Sequence, residues 1–363
     1  MSEWLKLKLR DIIVLNYGKA LKTQDRKDGN IPVFSSAGLT GYHNQALIEK
    51  EGIIVGRKGT IGKIYISNSP FWCIDTAYYI LPNPEKYDFL FIFYLLQTLG
   101  LEELNEDSAV PGLNRNTVYN QCFTLPPLPE QKAIASILSS IDDKIDLLHR
   151  QNKTLESMAE TLFRQWFIED NQELWEEKSL SEIAVFTNGL ACQKYPASVD
   201  EKGLPVLKIK ELQSGFSNTT DIASSKVNSE YIVHHGDIIF AWSASLMVKI
   251  WSGPDCVLNQ HLFNVKSDKY PKWFYYEWCK YHLKEFINIS QSHATTMGHI
   301  RRKDLDEAIV KVPPDKELSL MSKEMIPILN QRIEKMKQIL TLENLRDTLL
   351  PKLMSAEVRV KLD

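Results

Sequence analysis

Apolar residues recur from Ile134 onward in alternating steps of four and three: Ile134, Leu138, Ile141, Ile145, Leu148, then Asn152, Leu155, Ala159, Leu162 and Trp166. That alternation is the a/d seam of a coiled coil. It predicts a helix of about 38 residues, a rod of about 57 Å. Pro126, Pro127 and Pro129 stop the strand before it, and Pro129 suits a helix's first turn. Near the end of the chain Ile326, Leu329, Ile333, Met336 and Leu340 keep the same step. The stripe then shifts to Leu342, Leu345 and Leu349. Pro327 is placed to kink this second rod, and Pro351 to kink or end it. A strict 3–4 alternation signals pairing, so each seam offers itself to the other. Two separate amphipathic helices, each covering its own domain, are the plainer alternative. Asn152 either fixes register through a polar partner or is tolerated at an edge.

The rest of the chain reads as mixed α/β, twice over. Trp4 matches Trp175, and Pro32-Val33 matches Pro205-Val206. Gly52-Ile53-Ile54-Val55 matches Gly236-Asp237-Ile238-Ile239, and Gly112 matches Gly298. Leu125-Pro126-Pro127 matches Val312-Pro313-Pro314. Residues 52–66 and 236–250 each read as a β-hairpin, and residues 89–104 and 272–289 are apolar at helical spacing. A fixed internal repeat outranks local readings. The expected class is α+β: two α/β domains at residues 1–125 and 175–312, joined by long helices at 126–174 and 313–363. Each helix must hand the chain from one globular unit to the other, so the pair is expected to be an antiparallel coiled coil with an internal pseudo-two-fold repeat.

Charge changes this picture in one respect. The net charge is −3, an unpromising total for a nucleic-acid binder. Yet both globular segments are balanced, and the acidity sits on residues 126–174, with five Lys/Arg against nine Asp/Glu. DNA affinity would have to come from local basic loops or a partner. No apolar run reaches the roughly 18–20 residues of a membrane span, and the N-terminus lacks a signal-peptide pattern. Five scattered cysteines without a CxxC pair suggest neither a disulfide framework nor a zinc knuckle. A cytoplasmic protein without a metal site is expected.

The stretch LPPLPEQKAIASIL at residues 125–138, followed by Ile141-Asp142, Lys144-Ile145, Phe163 and Trp166-Phe167, recurs in degraded form after a second, dissimilar unit. Over the whole chain this resembles the specificity subunit of type I restriction-modification systems. The resemblance implies that each globular unit is a target recognition domain reading one half of a split duplex DNA target. It implies that the paired helices set the gap and dock two methyltransferase subunits, joined by restriction subunits. No cofactor is expected in this chain. S-adenosylmethionine would belong to the methyltransferase, ATP and Mg to the restriction subunit. The sequence departs at the second helix start, where Pro314-Asp315-Lys316-Glu317 stands against Pro127-Leu128-Pro129-Glu130.

Candidate DNA contacts follow from residue chemistry and this resemblance. Arg57, Lys58, Gly59, Thr60 and Lys63 form a glycine-flanked basic turn, suited to phosphates or, for Arg57, to guanine. Its counterpart carries Ser243 and Ser245, with Trp242 as either contact or core. Asn114, Arg115 and Asn116 offer adenine- and guanine-type donors, although Asn is also a good helix cap. Residues 295–303, with Thr295, Thr296, His299, Arg301, Arg302 and Lys303, are the most basic run. Lys208 and Lys210 alternate on an expected strand and would share a face. The plain alternative throughout is a solvated turn or helix face.

No catalytic motif is read. Asn83-Pro84 runs into Glu85 rather than an Asn-Pro-Pro-aromatic motif, and no P-loop is present. The competing readings are a coiled-coil scaffold that binds only protein, or a remnant of a fused type II restriction-methylation enzyme.

Overall fold

The computed structural model describes residues 4–105, 112–170, 174–292 and 298–361. It divides into two compact units, Met1–Lys144 with Glu343–Asp363, and Ile145–Leu342.

In the first unit, strand Leu5–Lys8 pairs antiparallel with Cys122–Leu125, the strand that runs into the long helix. A four-stranded antiparallel sheet follows in the order Asn16–Tyr17, Ala77–Ile80, Gly52–Gly56, Ile64–Ser67. A three-stranded sheet orders Gly38–His43, Ile31–Ser35 and Trp72–Cys73, the last two parallel. The run Gly52–Gly56 is buried at every position, which explains its unbroken apolar sequence. Side chains alternate across a strand. Ile53 and Val55 accordingly join one core with Phe91, Ile134 and Leu138, while Ile54 joins another with Phe34 and Phe71.

The second unit repeats the plan. Glu176–Ser179 pairs with Ile309–Val312. The four-stranded sheet is ordered Val185–Asn188, Leu262–Lys266, Ile238–Ala241, Met247–Ile250. Here Ile238 and Phe240 face one core, and Ile239 and Ala241 the other. Ile53 is therefore equivalent to Ile238, one residue on from the alignment read in the sequence. Bridges Lys58↔Gly112 and Ser243↔His299 likewise equate Gly112 with His299 rather than Gly298. Glycines had guided that alignment, but backbone pairing decides it. The extra residues of this unit build helix Ile209–Ser214, between strands Leu204–Leu207 and Ile222–Ala223, where the first unit has only a tight turn between Ile31–Ser35 and Gly38–His43.

The long helices are Leu128–Arg164, extended by a π-helical turn Gln165–Glu169, and Asp315–Met354. The second helix is continuous through Pro327 and runs past Pro351, so neither proline ends it at its own position. Both helices start alike. Trp4 Nε1 donates to Glu130 at 3.1 Å, and Trp175 Nε1 donates to Glu317 at 3.2 Å. The sequence difference at the second start leaves this glutamate in place. Arg359 adds Nε and Nη2 contacts to Glu130 at 2.5 and 2.7 Å.

The helices run antiparallel within each unit. Asp142 pairs with Arg346 in the first; Gln151 contacts Lys335 and Glu156 contacts Arg332 in the second. The first seam is largely as expected: Ile134, Leu138, Ile141, Ile145 and Leu148 are buried, while Asn152, Leu155 and Leu162 are half-buried. The second differs. Ile326 is exposed, and Met325, Leu329, Arg332 and Ile339 are buried, with Ile333, Met336 and Leu340 half-buried. The inward stripe is thus 325, 329, 332, 336, 339, and a buried arginine occupies one of its steps. An apolar count passes over that position.

Arg332 belongs to a charge cluster. Its Nη2 lies 2.9 Å from Glu156, and its guanidinium lies 5.8 Å over the Tyr276 ring. Lys280 Nζ reaches Glu160, Glu277 and Glu156 at 2.6, 3.3 and 3.5 Å. Burial raises the Glu277 carboxyl above its ordinary 4.5, against the pull of Lys280 and Arg332. A carboxyl raised on folding contributes stability that is present below pH 4.5 and is lost as pH climbs through the folded value. Glu277→Gln is therefore expected to raise the melting temperature at pH 8 and leave it nearly unchanged at pH 4, read by calorimetry. A loss at pH 8 would show that the ion pair with Lys280 outweighs the burial.

Candidate functional site

Both units fold one turn the same way. Arg57 N–H donates to the Thr76 carbonyl at 2.9 Å, and the Arg57 carbonyl accepts from Leu113 N–H at 2.8 Å. In the second unit Trp242 N–H donates to the His261 carbonyl at 3.4 Å, and its carbonyl accepts from Ile300 N–H at 3.0 Å. Residue 57 and residue 242 are the same backbone position. The turn closes through a left-handed residue in each copy, Gly59 at φ 78° and Ala244 at φ 56°. The strand below is held close by Gly18 and Gly189: an added Cβ would lie 2.1 Å from the Ile74 carbonyl oxygen or 2.3 Å from that of Asn259.

What the two positions carry differs. The Arg57 guanidinium lies over Tyr17 at 5.1 Å and Tyr78 at 5.7 Å, with Nη1 donating to the Asp75 carbonyl at 3.2 Å. Arg115 lies over the same Tyr17 ring at 5.2 Å. Burial, together with a hydrogen bond to Tyr17, pushes the Tyr78 phenol up to about 12, so it stays neutral and donates to the Leu113 carbonyl at 3.1 Å. Tyr17, Arg57, Lys58, Tyr78 and residues 112–116 line an open pocket of about 400 Å³. In the second unit Trp242 stacks on Phe263 at 5.7 Å and donates to Asn188 at 3.3 Å.

The structure gathers Arg57, Lys58, Asn114, Arg115 and Asn116 around that pocket. Asn114 caps helix Arg115–Tyr119, its side chain accepting from Asn116 N–H at 2.8 Å. Lys58, Gly59 and Thr60 are exposed, whereas Lys63 is paired with Glu102 at 2.9 Å. In the second unit His299 bridges to Ser243, and Arg301 starts helix Arg302–Glu307 at the position of Asn114. Lys303 pairs with Glu307 at 3.0 Å, and Arg301 approaches Asp304 at 3.7 Å. Arg302 is exposed, with no ion pair among the described residues. Ser243 is buried, its hydroxyl 3.1 Å from His261 Nδ1, while Ser245 is exposed. Thr295 and Thr296 lie outside the described residues. Lys208 and Lys210 do not share a strand face. Lys208 precedes helix Ile209–Ser214, which contains Lys210, and is tied to Asp221. The strand Leu204–Leu207 ends just before them because the inserted residues turn there.

Tyr17, Tyr78, Asn188 and Phe263 were missed by sequence reasoning. The only signal was a glycine after Tyr17 and after Asn188, repeated at an offset of 171.

A family model described as the type I restriction modification DNA specificity domain matches residues 1–157 and again 172–344. The chain is 24% identical over 412 residues to the type I restriction enzyme MjaIX specificity subunit of Methanocaldococcus jannaschii, covering 99% of this chain and 94% of that protein. It is 27% identical over 174 residues to the EcoBI specificity subunit of Escherichia coli, covering 46% and 36% respectively. The crystal structure of a type I restriction-modification S subunit from M. genitalium superposes with a TM-score of 0.65 at 18% identity, over 99% of this chain and 97% of that one. These matches do not favour the scaffold reading.

The shared turn predicts opposite responses at equivalent positions. A side chain in the left-handed region costs about 1 kcal/mol relative to glycine, and nothing lies closer than 4.0 Å to a Cβ at Gly59. Gly59→Ala is expected to lower the urea midpoint and Ala244→Gly to hold or raise it. Equal losses at both would mean that the two turns are not equivalent.

Proposed function

The chain belongs to the family of type I restriction-modification specificity subunits, and from that premise we propose that its two units read the two halves of one bipartite duplex target. The observation that carries this reading is the pair of equivalent turns with unlike side chains, Arg57 in one unit and Trp242 in the other. Phosphate contacts position a protein on DNA, but base contacts specify the sequence. One scaffold that presents different groups at one place suits two different half-sites.

The exposed cations Lys58 and Arg302 supply charge for the backbone, one in each unit. The paired helices set the gap, since half-site spacing follows protein geometry. The matching Trp–Glu ties at the two helix starts support docking of two methyltransferase subunits, with restriction subunits completing the assembly. The role of this chain is recognition without catalysis. S-adenosylmethionine is supplied to the methyltransferase subunits, and ATP and Mg to the restriction subunits. No helix among the described residues is long and apolar enough to cross a membrane, in keeping with work on DNA in the cytoplasm.

Replacing residues 1–125 with the corresponding unit of another specificity subunit is expected to change one half of the methylated motif and to leave the other half and the gap intact. Sequencing of methylated sites reads this directly. A change in both halves would defeat the modular reading.

A further inference from the structure

One cation in the first unit is held differently from its neighbours. Lys58 is exposed and Lys63 is engaged by Glu102, but Arg57 is half-buried, with its guanidinium over Tyr17 and Tyr78. Arg115 lies over the same Tyr17 ring and over Tyr119 at 5.9 Å. Among the described residues no carboxylate pairs with Arg57 or Arg115. The Arg57 Nη1 is spent on the Asp75 carbonyl, which leaves the Nη2 and Nε donors on the other edge of the fork. That edge belongs to a side chain lining the pocket shared with Asn114, Arg115 and Asn116.

A phosphate also accepts two parallel donors from a guanidinium, but it accepts from any other nearby cation as well. A guanine edge is more demanding. Its N7 and O6 are adjacent acceptors in the major groove, matched by two parallel N–H donors. A stacked guanidinium has already given up the rotamer freedom that such a contact costs. The backbone of residue 57 is fixed as well, through Thr76 and Leu113.

We propose that Arg57 is a specificity-determining residue of the first unit, donating paired hydrogen bonds to N7 and O6 of one guanine in its half-site. This rests on the recognition role proposed above. The second unit has Trp242 at the equivalent position and no cation there, so its half-site is read without this guanine contact. Arg115 lies over the same Tyr17 ring and adds a second positive charge beside the fork.

The test uses the assembled complex of this chain with its methyltransferase subunits and a randomised duplex pool. The wild-type complex is expected to require guanine at one position of one half-site. Arg57→Gln and Arg57→Lys are expected to lose that requirement by about tenfold to a hundredfold, with the other half-site and the gap unchanged. Replacing that guanine by 7-deazaguanine removes N7; it is expected to weaken the wild-type complex and leave the Arg57→Gln complex unaffected. The analogue measurement on wild type needs no substitution, so it stands even where a variant melts early. A uniform loss of affinity with guanine preference intact and the salt slope lower by about one unit would make Arg57 a phosphate contact and overturn the proposal. Unchanged selection would overturn it too. Failure of the underlying reading looks different: the wild-type complex would select no bipartite sequence at all.

Discussion

Two backbone hydrogen bonds govern what this protein can present to a ligand. At residue 57, and again at residue 242, the N–H and the carbonyl are both satisfied by neighbouring backbone. Buried or strand-edge polar groups must find partners, and here the partners ask nothing of the side chain. The clamp therefore fixes where the side chain starts and leaves its identity free. An arginine laid over tyrosines and a tryptophan laid over a phenylalanine occupy the same place without disturbing the sheets beneath.

The helices carry a second constraint. The first unit comprises both ends of the chain, Met1–Lys144 and Glu343–Asp363. Its core holds Ile134 and Leu138 from the first long helix together with Leu353 and Met354 from the second. Glu130, at the start of one helix, is tied to Trp4 and to Arg359, residues from opposite ends of the sequence. The unit is thus complete only when residues of both long helices have come together. In the second unit the same helices meet across Arg332 and Glu156, beneath Lys280 and Glu277. Such buried charges add little net stability but penalise misplaced registers, which suits helices whose pairing has to be unique.

Much of this was legible in the sequence, for identifiable reasons. A seam of period 3.5 survives any change of surface, so Ile134 to Leu148 marked the first helix plainly. The run at 52–66 reads as a hairpin in the sequence, and burial of Gly52–Gly56 on both faces explains its unbroken apolar pattern. The duplication showed through tryptophans, prolines and glycines, whose backbone and packing roles tolerate few substitutes. Four things were hidden. Arg332 sits in an apolar stripe, and no hydrophobic pattern selects a buried arginine. The one-residue shift that equates Ile53 with Ile238 emerges only from strand pairing, because a glycine at 52 and one at 236 suggested a different register. Tyr17 and Tyr78 lie on paired strands 61 positions apart in the sequence, and nothing local ties them to Arg57. The lysines at 208 and 210 alternate as strand residues do, yet the inserted helix contains Lys210 and begins just after Lys208.

If the clamp at residue 242 decouples the reading side chain from the fold, Trp242→Arg in the full complex changes what is read and nothing else. Methylated-site sequencing should then show a new requirement in one half of the motif only, with the chain still assembling and the gap preserved. Loss of assembly, or a motif identical to that of the wild-type complex, would contradict it.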